Sequence, residues 1–441
     1  VETVRHRLGE IWWHTTVLFV VQRIGDLVNI FIGLWLVPRW ISQTELGAIL
    51  PLAQIGVLLG MPLAVVLGVF GKFATTFAAK GDIGKVKALL LDVLALSACL
   101  SVLIAGYTYW VSPFIIERMR VGGGGLVWLL SGLAVTSALV PVLATAQQAV
   151  RGFRWFAINA LAVPVLRLAL LGALLPALGI VGYFSAQLLT ALGCAAIFIW
   201  ALWQVLSPSV TRDSYRQHIR EMSRYSIPVL AMTVLGVVQS TTELFVIRHR
   251  LPDVESAAYY MISRFAEIPG ALWGALMIPF FPTISAHHED GRDTGRILTL
   301  AVVGSLLAGG CVAAMLVWGS GWLLGLKAEW SVYRPYDWLM GVLALRSVVL
   351  IPVGCLTVHE MACRRFGYAW FIGGLALLEA GLLYGLTGVG FFQPYLPESW
   401  MRGLLSLRAC RLEFVTGVML AYAVLSLLFL LAHMRMRLRR L

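Results

Sequence analysis

Twelve runs of mostly apolar residues, separated by short polar or basic connections, take up almost the whole chain. They lie at 17–37, 46–70, 88–111, 126–149, 157–176, 180–206, 227–247, 257–284, 297–319, 336–358, 366–387 and 410–433. Each reaches the ~20 residues a helix needs to cross the hydrocarbon of a bilayer. Backbone groups at that depth must be satisfied within the segment, so such runs read as helices rather than strands or loops. No connection exceeds about two dozen residues, which leaves no room for a soluble domain. The pattern predicts an all-α integral membrane protein with twelve transmembrane helices.

The polar punctuation repeats. One ungapped shift of about 210 residues lays 17–37 on 227–247, 46–70 on 257–284 and 126–149 on 336–358. Under it Phe70 meets Phe280, Gly81 meets Gly291, Arg154 meets Arg364 and Phe156 meets Phe366, while Pro141 and Pro352 fall one position apart. Only an insertion around Gly390 to Arg408 breaks the register. Six helices per repeat is an even number, so both halves enter the membrane from the same side. A parallel repeat of this kind has a pseudo-two-fold axis along the membrane normal, with sites between the halves. The expected organisation is a cytoplasmic N-terminal segment (1–16), a six-helix N-lobe (17–206), a cytoplasmic linker (207–226), a six-helix C-lobe (227–433) and a basic tail (434–441).

Composition agrees with the hydropathy pattern: of 441 residues, 59% are hydrophobic and 13% charged. Residues 1–16 carry no cleavable signal-peptide pattern. The net charge of +12 raises nucleic acid as a partner, but its distribution argues against one. Twenty of the 34 Lys and Arg fall in connections on the side of the N-terminus, ten on the opposite side, and four (Arg23, Arg167, Arg264, Arg346) within spans. That two-to-one bias follows the positive-inside rule with both termini cytoplasmic, and favours anionic membrane lipid over nucleic acid. The six cysteines are scattered singly without metal-ligand spacing, so they read as small hydrophobes.

The in-span charges carry the chemistry. A charge at the bilayer centre costs roughly 2.5–3.5 kcal/mol on insertion scales, so it normally faces a cavity. In the first span Gln22, Arg23, Asp26 and Asn29 form one polar stripe; the seventh adds Gln239 and Glu243, the fifth Arg167, the tenth Arg346 and the eleventh Glu379. The eighth holds Arg264 and Glu267, then the helix-disturbing pair Pro269 and Gly270, a hinge candidate. His359 and Glu360 are expected at the interface. Arginine grips phosphate through two parallel hydrogen bonds and stays charged when partly desolvated. An anionic, phosphate-bearing substrate therefore suits a cavity lined by Arg23, Asp26, Asn29, Gln239, Glu243, Arg264, Glu267 and Arg346. The alternative is that these residues tie helices together as ion pairs, or that Arg264 and Glu267 neutralise each other along one helix.

The stretch R-F-A-E-I-P-G-A-L-W-G-A-L from Arg264, then F-P-T-I-S followed by E-D-G-R, resembles the eighth-helix signature of murein-precursor flippases. The A-A-K-G-D ending at Asp82 and the S-I-P turn at Ser226 to Pro228 resemble the polysaccharide-flippase branch. Both branches belong to the multidrug/oligosaccharidyl-lipid/polysaccharide (MOP) exporter superfamily, and the resemblance extends over nearly the whole chain. It implies alternating access by two rocking lobes, arginines that engage a lipid pyrophosphate, and a place in the bacterial cytoplasmic membrane. Arg23 and Arg264 match arginines of the murein branch, and Asp26 lies close to its first-helix acid. Two departures, twelve helices and no arginine inside the second span, favour a polyprenyl-linked glycan other than murein precursor.

The expected function is a monomeric flippase for a polyprenyl-(pyro)phosphate-linked oligosaccharide, a cell-envelope polysaccharide or peptidoglycan precursor, with no cofactor. The alternative is a cation-coupled multidrug antiporter of the same superfamily, with Na⁺ or H⁺ carried by Asp26 or Glu243. An enzyme is not expected, because no Walker loop, nucleophile elbow or metal-ligand spacing is present. The aromatic residues, 16 Trp among them, read as interfacial anchors rather than sugar-stacking platforms, with Trp273 near the expected cavity the one to set against that reading.

Overall fold

The computed structural model describes residues 20–21, 23–119, 125–150, 153–206, 213–270, 280, 284, 293–363, 367–387 and 411–438. Gln22, Trp273, the N-terminal 1–16 segment, the 388–408 insertion and most of the signature beyond Gly270 lie outside them. Among the described residues all regular structure is helical. Eight stretches are long and apolar enough to cross a membrane, and together they take in nine of the predicted runs. The runs 17–37, 257–284 and 366–387 are described only in part. The chain has the build of a multi-pass membrane protein.

Packing divides it into two compact units, one of residues 1–45 and 49–237, the other of residues 46–48 and 238–441. In the first unit, α1 covers residues 23–40 and includes a π-helical turn at Ile32–Leu36. It is followed by α2 (Gln43–Ala79), α3 (Ile83–Met119), α4 (Gly125–Ala149) and α5 (Phe153–Val205). The start of α2 is fixed by a capping box: Ser42 Oγ accepts from the Glu45 amide, and the Glu45 carboxylate reaches back to Ser42. This satisfies amides that a helix start leaves without partners.

At 53 residues, α5 is twice the length a bilayer needs. It folds back on itself at Gly179, whose φ of 54° is a left-handed conformation that only glycine adopts freely. The two arms run antiparallel: Asn159 donates to the Cys194 carbonyl at 3.2 Å, and a Cβ at Gly193 would stand 2.7 Å from Leu166. These arms correspond to the separate runs 157–176 and 180–206. The core beneath them is aromatic, with Phe70, Phe73 and Phe77 of α2 packed with Leu89 of α3, Leu143 of α4 and Phe198 of α5.

The second unit begins within α6 (Ile219–Arg250) and continues through α7 (Asp253–Ala266), α8 (Gly295–Gly325), α9 (Trp338–Ala362), α10 (Ala369–Thr387) and α11 (Arg411–Leu438). Its central element is α9, which packs on α7, α8 and α11, while α10 packs on α11.

Two buried groups of charged residues lie at helix ends. Arg248, between the runs 227–247 and 257–284, is fully buried and pairs with Asp253 at 2.8 Å in the first turn of α7. The tight α6–α7 junction encloses it, with Ser256 Oγ donating to the Ile247 carbonyl. His359 and Glu360, expected at the interface, are 4% and 1% exposed. They stand in a cluster with Thr294, Cys363 and His433, in which Glu360 lies 3.5 Å from His359 and 3.7 Å from His433.

Candidate functional site

The in-span charges form two groups, one in each unit. In the first unit α1 presents Arg23, Asp26 and Asn29 along one face, as their three-residue spacing requires. Arg23 pairs with Asp26 at 2.9 Å, three residues on. Arg167, midway along the first arm of α5, donates across to the Asn29 side-chain oxygen at 2.9 Å. Close approach of the two helices depends on Gly25, where a Cβ would meet Pro164 at 3.0 Å and the Ala160 carbonyl at 3.1 Å.

Beside this contact lies a cavity of ≈ 270 Å³, lined by Gly25, Asp26, Asn29, Asn159, Pro164 and Phe198 among others. Asn159 is 2% exposed, and its side-chain oxygen has no hydrogen-bond partner among the described residues. Asn159 is not among the residues that the sequence pattern singles out. A lone amide in an apolar run was the only signal, and apolar runs tolerate one. With two guanidiniums and one carboxylate, this group carries a surplus positive charge.

The second group draws on four helices. Glu243 of α6 accepts from Gln239, one turn earlier, at 3.3 Å and forms an ion pair with Arg346 of α9. Glu379 of α10 stands in the same neighbourhood, close enough to interact with Glu243, Gln239 and Arg346. It is 3% exposed, and neither of its oxygens closes a hydrogen bond among the described residues. On α7, Arg264 pairs with Glu267 at 2.8 Å, three residues on, and lies over the Tyr260 ring at 5.4 Å. Buried Tyr259 lies within electrostatic reach of both pairs. The sequence reading did not single it out, since a tyrosine in an apolar run reads as core. Three carboxylates face two guanidiniums here, a surplus of negative charge.

The local interruption in α7 falls at Glu267, a turn residue after which helix resumes over 268–270. Pro269 is buried there, and a Cβ at Gly270 would meet nothing within 4 Å. Of the four arginines, Arg23 and Arg264 are thus matched within their own helix, whereas Arg167 and Arg346 reach across to another. Among the described residues no group of three or more His, Cys, Asp or Glu is placed to hold a metal.

No protein-family model matches the sequence, and no curated protein does. Solved structures do. An inward-facing multidrug resistance MATE family transporter of the MOP superfamily superposes with a TM-score of 0.67 at 15% identity, over 97% of this chain and 98% of its own. The lipid II flippase MurJ, in an inward closed conformation, gives 0.64 at 12% identity over 95% and 87%. A MOP superfamily transporter from Pyrococcus furiosus, described by the reverse polarity of its binding pocket, gives 0.61 at 13% over 96% and 95%. The chain therefore has the MOP transporter fold, shared by multidrug transporters and a lipid II flippase. At these identities the likeness is one of fold.

Proposed function

We propose that this protein is a transporter that moves a polyprenyl-(pyro)phosphate-linked oligosaccharide across the bacterial cytoplasmic membrane by alternating access, with both termini cytoplasmic. The observation that carries the proposal is Arg167. It is held in place by a neutral amide, so its charge stays available to an incoming anion, and a guanidinium suits the flat, bidentate geometry of phosphate. Arg23 and Arg264, half-buried and latched to Asp26 and Glu267, are the next handles, each released when a phosphate outcompetes its carboxylate. Asn29 and the acceptors around its cavity suit sugar hydroxyls. Gln239, Glu243 and Arg346 would order the second group, and the turn at Glu267, two residues before Pro269 and Gly270, would be the point of bending after α7.

A second reading draws on the acid surplus of the second unit. Buried Glu379, beside an already paired Glu243, is suited to take up a proton or Na⁺, as a cation-coupled multidrug antiporter requires. The two readings separate in one paired experiment on the native chain. Proteoliposomes are assayed for exposure of a fluorescent polyprenyl-pyrophosphate oligosaccharide, and expressing cells for resistance to cationic drugs. Flipping without resistance supports the first reading. Resistance without flipping replaces it with the second.

A further inference from the structure

One strongly charged surface is not used by the transport reading. It lies where the chain enters α6, on residues 215–229. Tyr215, His218, Met222, Tyr225 and Val229 recur at helical spacing and turn inward. The Tyr215 hydroxyl donates to Asp92 at 2.7 Å, His218 meets Phe77 edge-on at 5.0 Å, and Lys72 lies 4.1 Å from the Tyr225 ring centre. This face packs on α2 and α3, with a cavity of ≈ 280 Å³ left beside Tyr215 and Met222.

The opposite face is different. Arg216, Arg220 and Arg224, four residues apart, are all exposed and make one basic strip. Beside it run Ile219 and Ile227, 49% and 68% exposed. Of the acids nearby, Asp213 shares a cavity of ≈ 560 Å³ with Arg216 and Ile219, Glu221 is turned to Lys72 at 3.9 Å, Asp92 accepts from Tyr215, and Asp82 holds Lys85 at 2.7 Å. Among the described residues no carboxylate pairs with any of the three arginines. The strip continues without a break into an apolar, membrane-length helix. A rigid helix therefore fixes Arg224 less than one turn from Ile227, at headgroup depth if α6 spans the bilayer. Arginines beside exposed isoleucines at such a depth match a phosphate layer above an acyl layer.

We propose that Arg216, Arg220 and Arg224 form a docking strip for anionic phospholipid headgroups, which holds the start of α6, and through it the ends of α2 and α3, at the membrane surface. Juxtamembrane basic residues contribute about 1 kcal/mol each toward anionic lipid. Three correspond to a preference on the order of a hundredfold over neutral lipid.

The test uses the full chain in micelles, titrated with phosphatidylglycerol or phosphatidylcholine while thermal unfolding is followed. The native chain is expected to be stabilised at far lower phosphatidylglycerol than phosphatidylcholine. The preference should fall at least tenfold in Arg216→Gln/Arg220→Gln/Arg224→Gln and survive in the corresponding triple lysine variant. Arg39→Gln/Arg334→Gln, which removes charge elsewhere, should keep it. A triple glutamine variant that retains the preference overturns the proposal. So does equal loss in the control, or equal stabilisation of the native chain by inorganic phosphate. None of these readings depends on what the protein transports.

Discussion

Arg167 and Asn29 lie 138 positions apart in sequence and 2.9 Å apart in space, and the acceptor of that hydrogen bond carries no charge. A guanidinium brought into a membrane helix and held, among the described residues, by an amide is poised for an anion rather than spent on an ion pair. Asn29→Asp is the decisive change, because it supplies the missing charge. If Arg167 serves as a handle, the variant keeps or gains thermal stability but loses at least tenfold in flipping rate. If Arg167 only ties α5 to α1, stability rises and transport is unaffected.

The pair of Arg346 and Glu243 makes the opposite case. Here a buried charge is matched across helices, so removing one partner strands the other. Arg346→Ala should destabilise the second unit by about 3–5 kcal/mol. Arg346→Met/Glu243→Met should recover most of that loss in thermal unfolding, since both charges leave together. A double variant as unstable as the single one would mean the contact contributes by shape rather than charge.

Packing within the first unit yields a steric prediction. A Cβ at Gly68 would stand 2.6 Å from the Val229 side chain, so α6 docks on α2 only because position 68 has none. Gly68→Ala should cost about 1–3 kcal/mol by overpacking. Adding Val229→Ala should remove most of that cost. Calorimetry of the single and double variants checks both halves.

One pH effect follows outside the membrane-spanning segments. In the turn between α2 and α3, the hydrogen bond from Lys85 holds the Asp82 carboxyl below its usual value. A carboxyl with a lowered folded pKa stabilises the fold above its unfolded value, near 3.9, and loses that contribution as pH falls through the lower folded value. Asp82→Asn should therefore be less stable than the native chain at neutral pH, and the difference should close as the pH drops below about 4. Thermal unfolding across that range tests it, and a gap independent of pH would contradict it.

Apolar helices and their own-helix ion pairs are legible in the sequence, whereas the break expected at Pro269 and Gly270 falls at Glu267. Apolar length marks the spans, the gap between the runs 157–176 and 180–206 marks the two arms of α5, and three-residue spacing puts Arg23 with Asp26 and Arg264 with Glu267. Partners chosen by tertiary packing are not legible there. Nothing local says that Arg167 takes Asn29, or that Arg346 takes Glu243 from 103 positions away. Nor does R-H-R between two apolar runs say that Arg248 is buried against Asp253. His359 and Glu360 look interfacial by their position at the end of a run, yet packing among α8, α9 and α11 buries them.

The most direct measurement is flipping by the purified protein in liposomes, with Arg264→Ala beside the native chain and a fluorescent polyprenyl-pyrophosphate oligosaccharide as cargo. Arg264 pairs within its own helix, so its loss should leave insertion and expression intact. The account predicts flipping by the native chain and none above background by the variant. Flipping at equal rates would remove Arg264 from the phosphate handle. No flipping by either, with an active control flippase in the same lipid, would contradict the central claim.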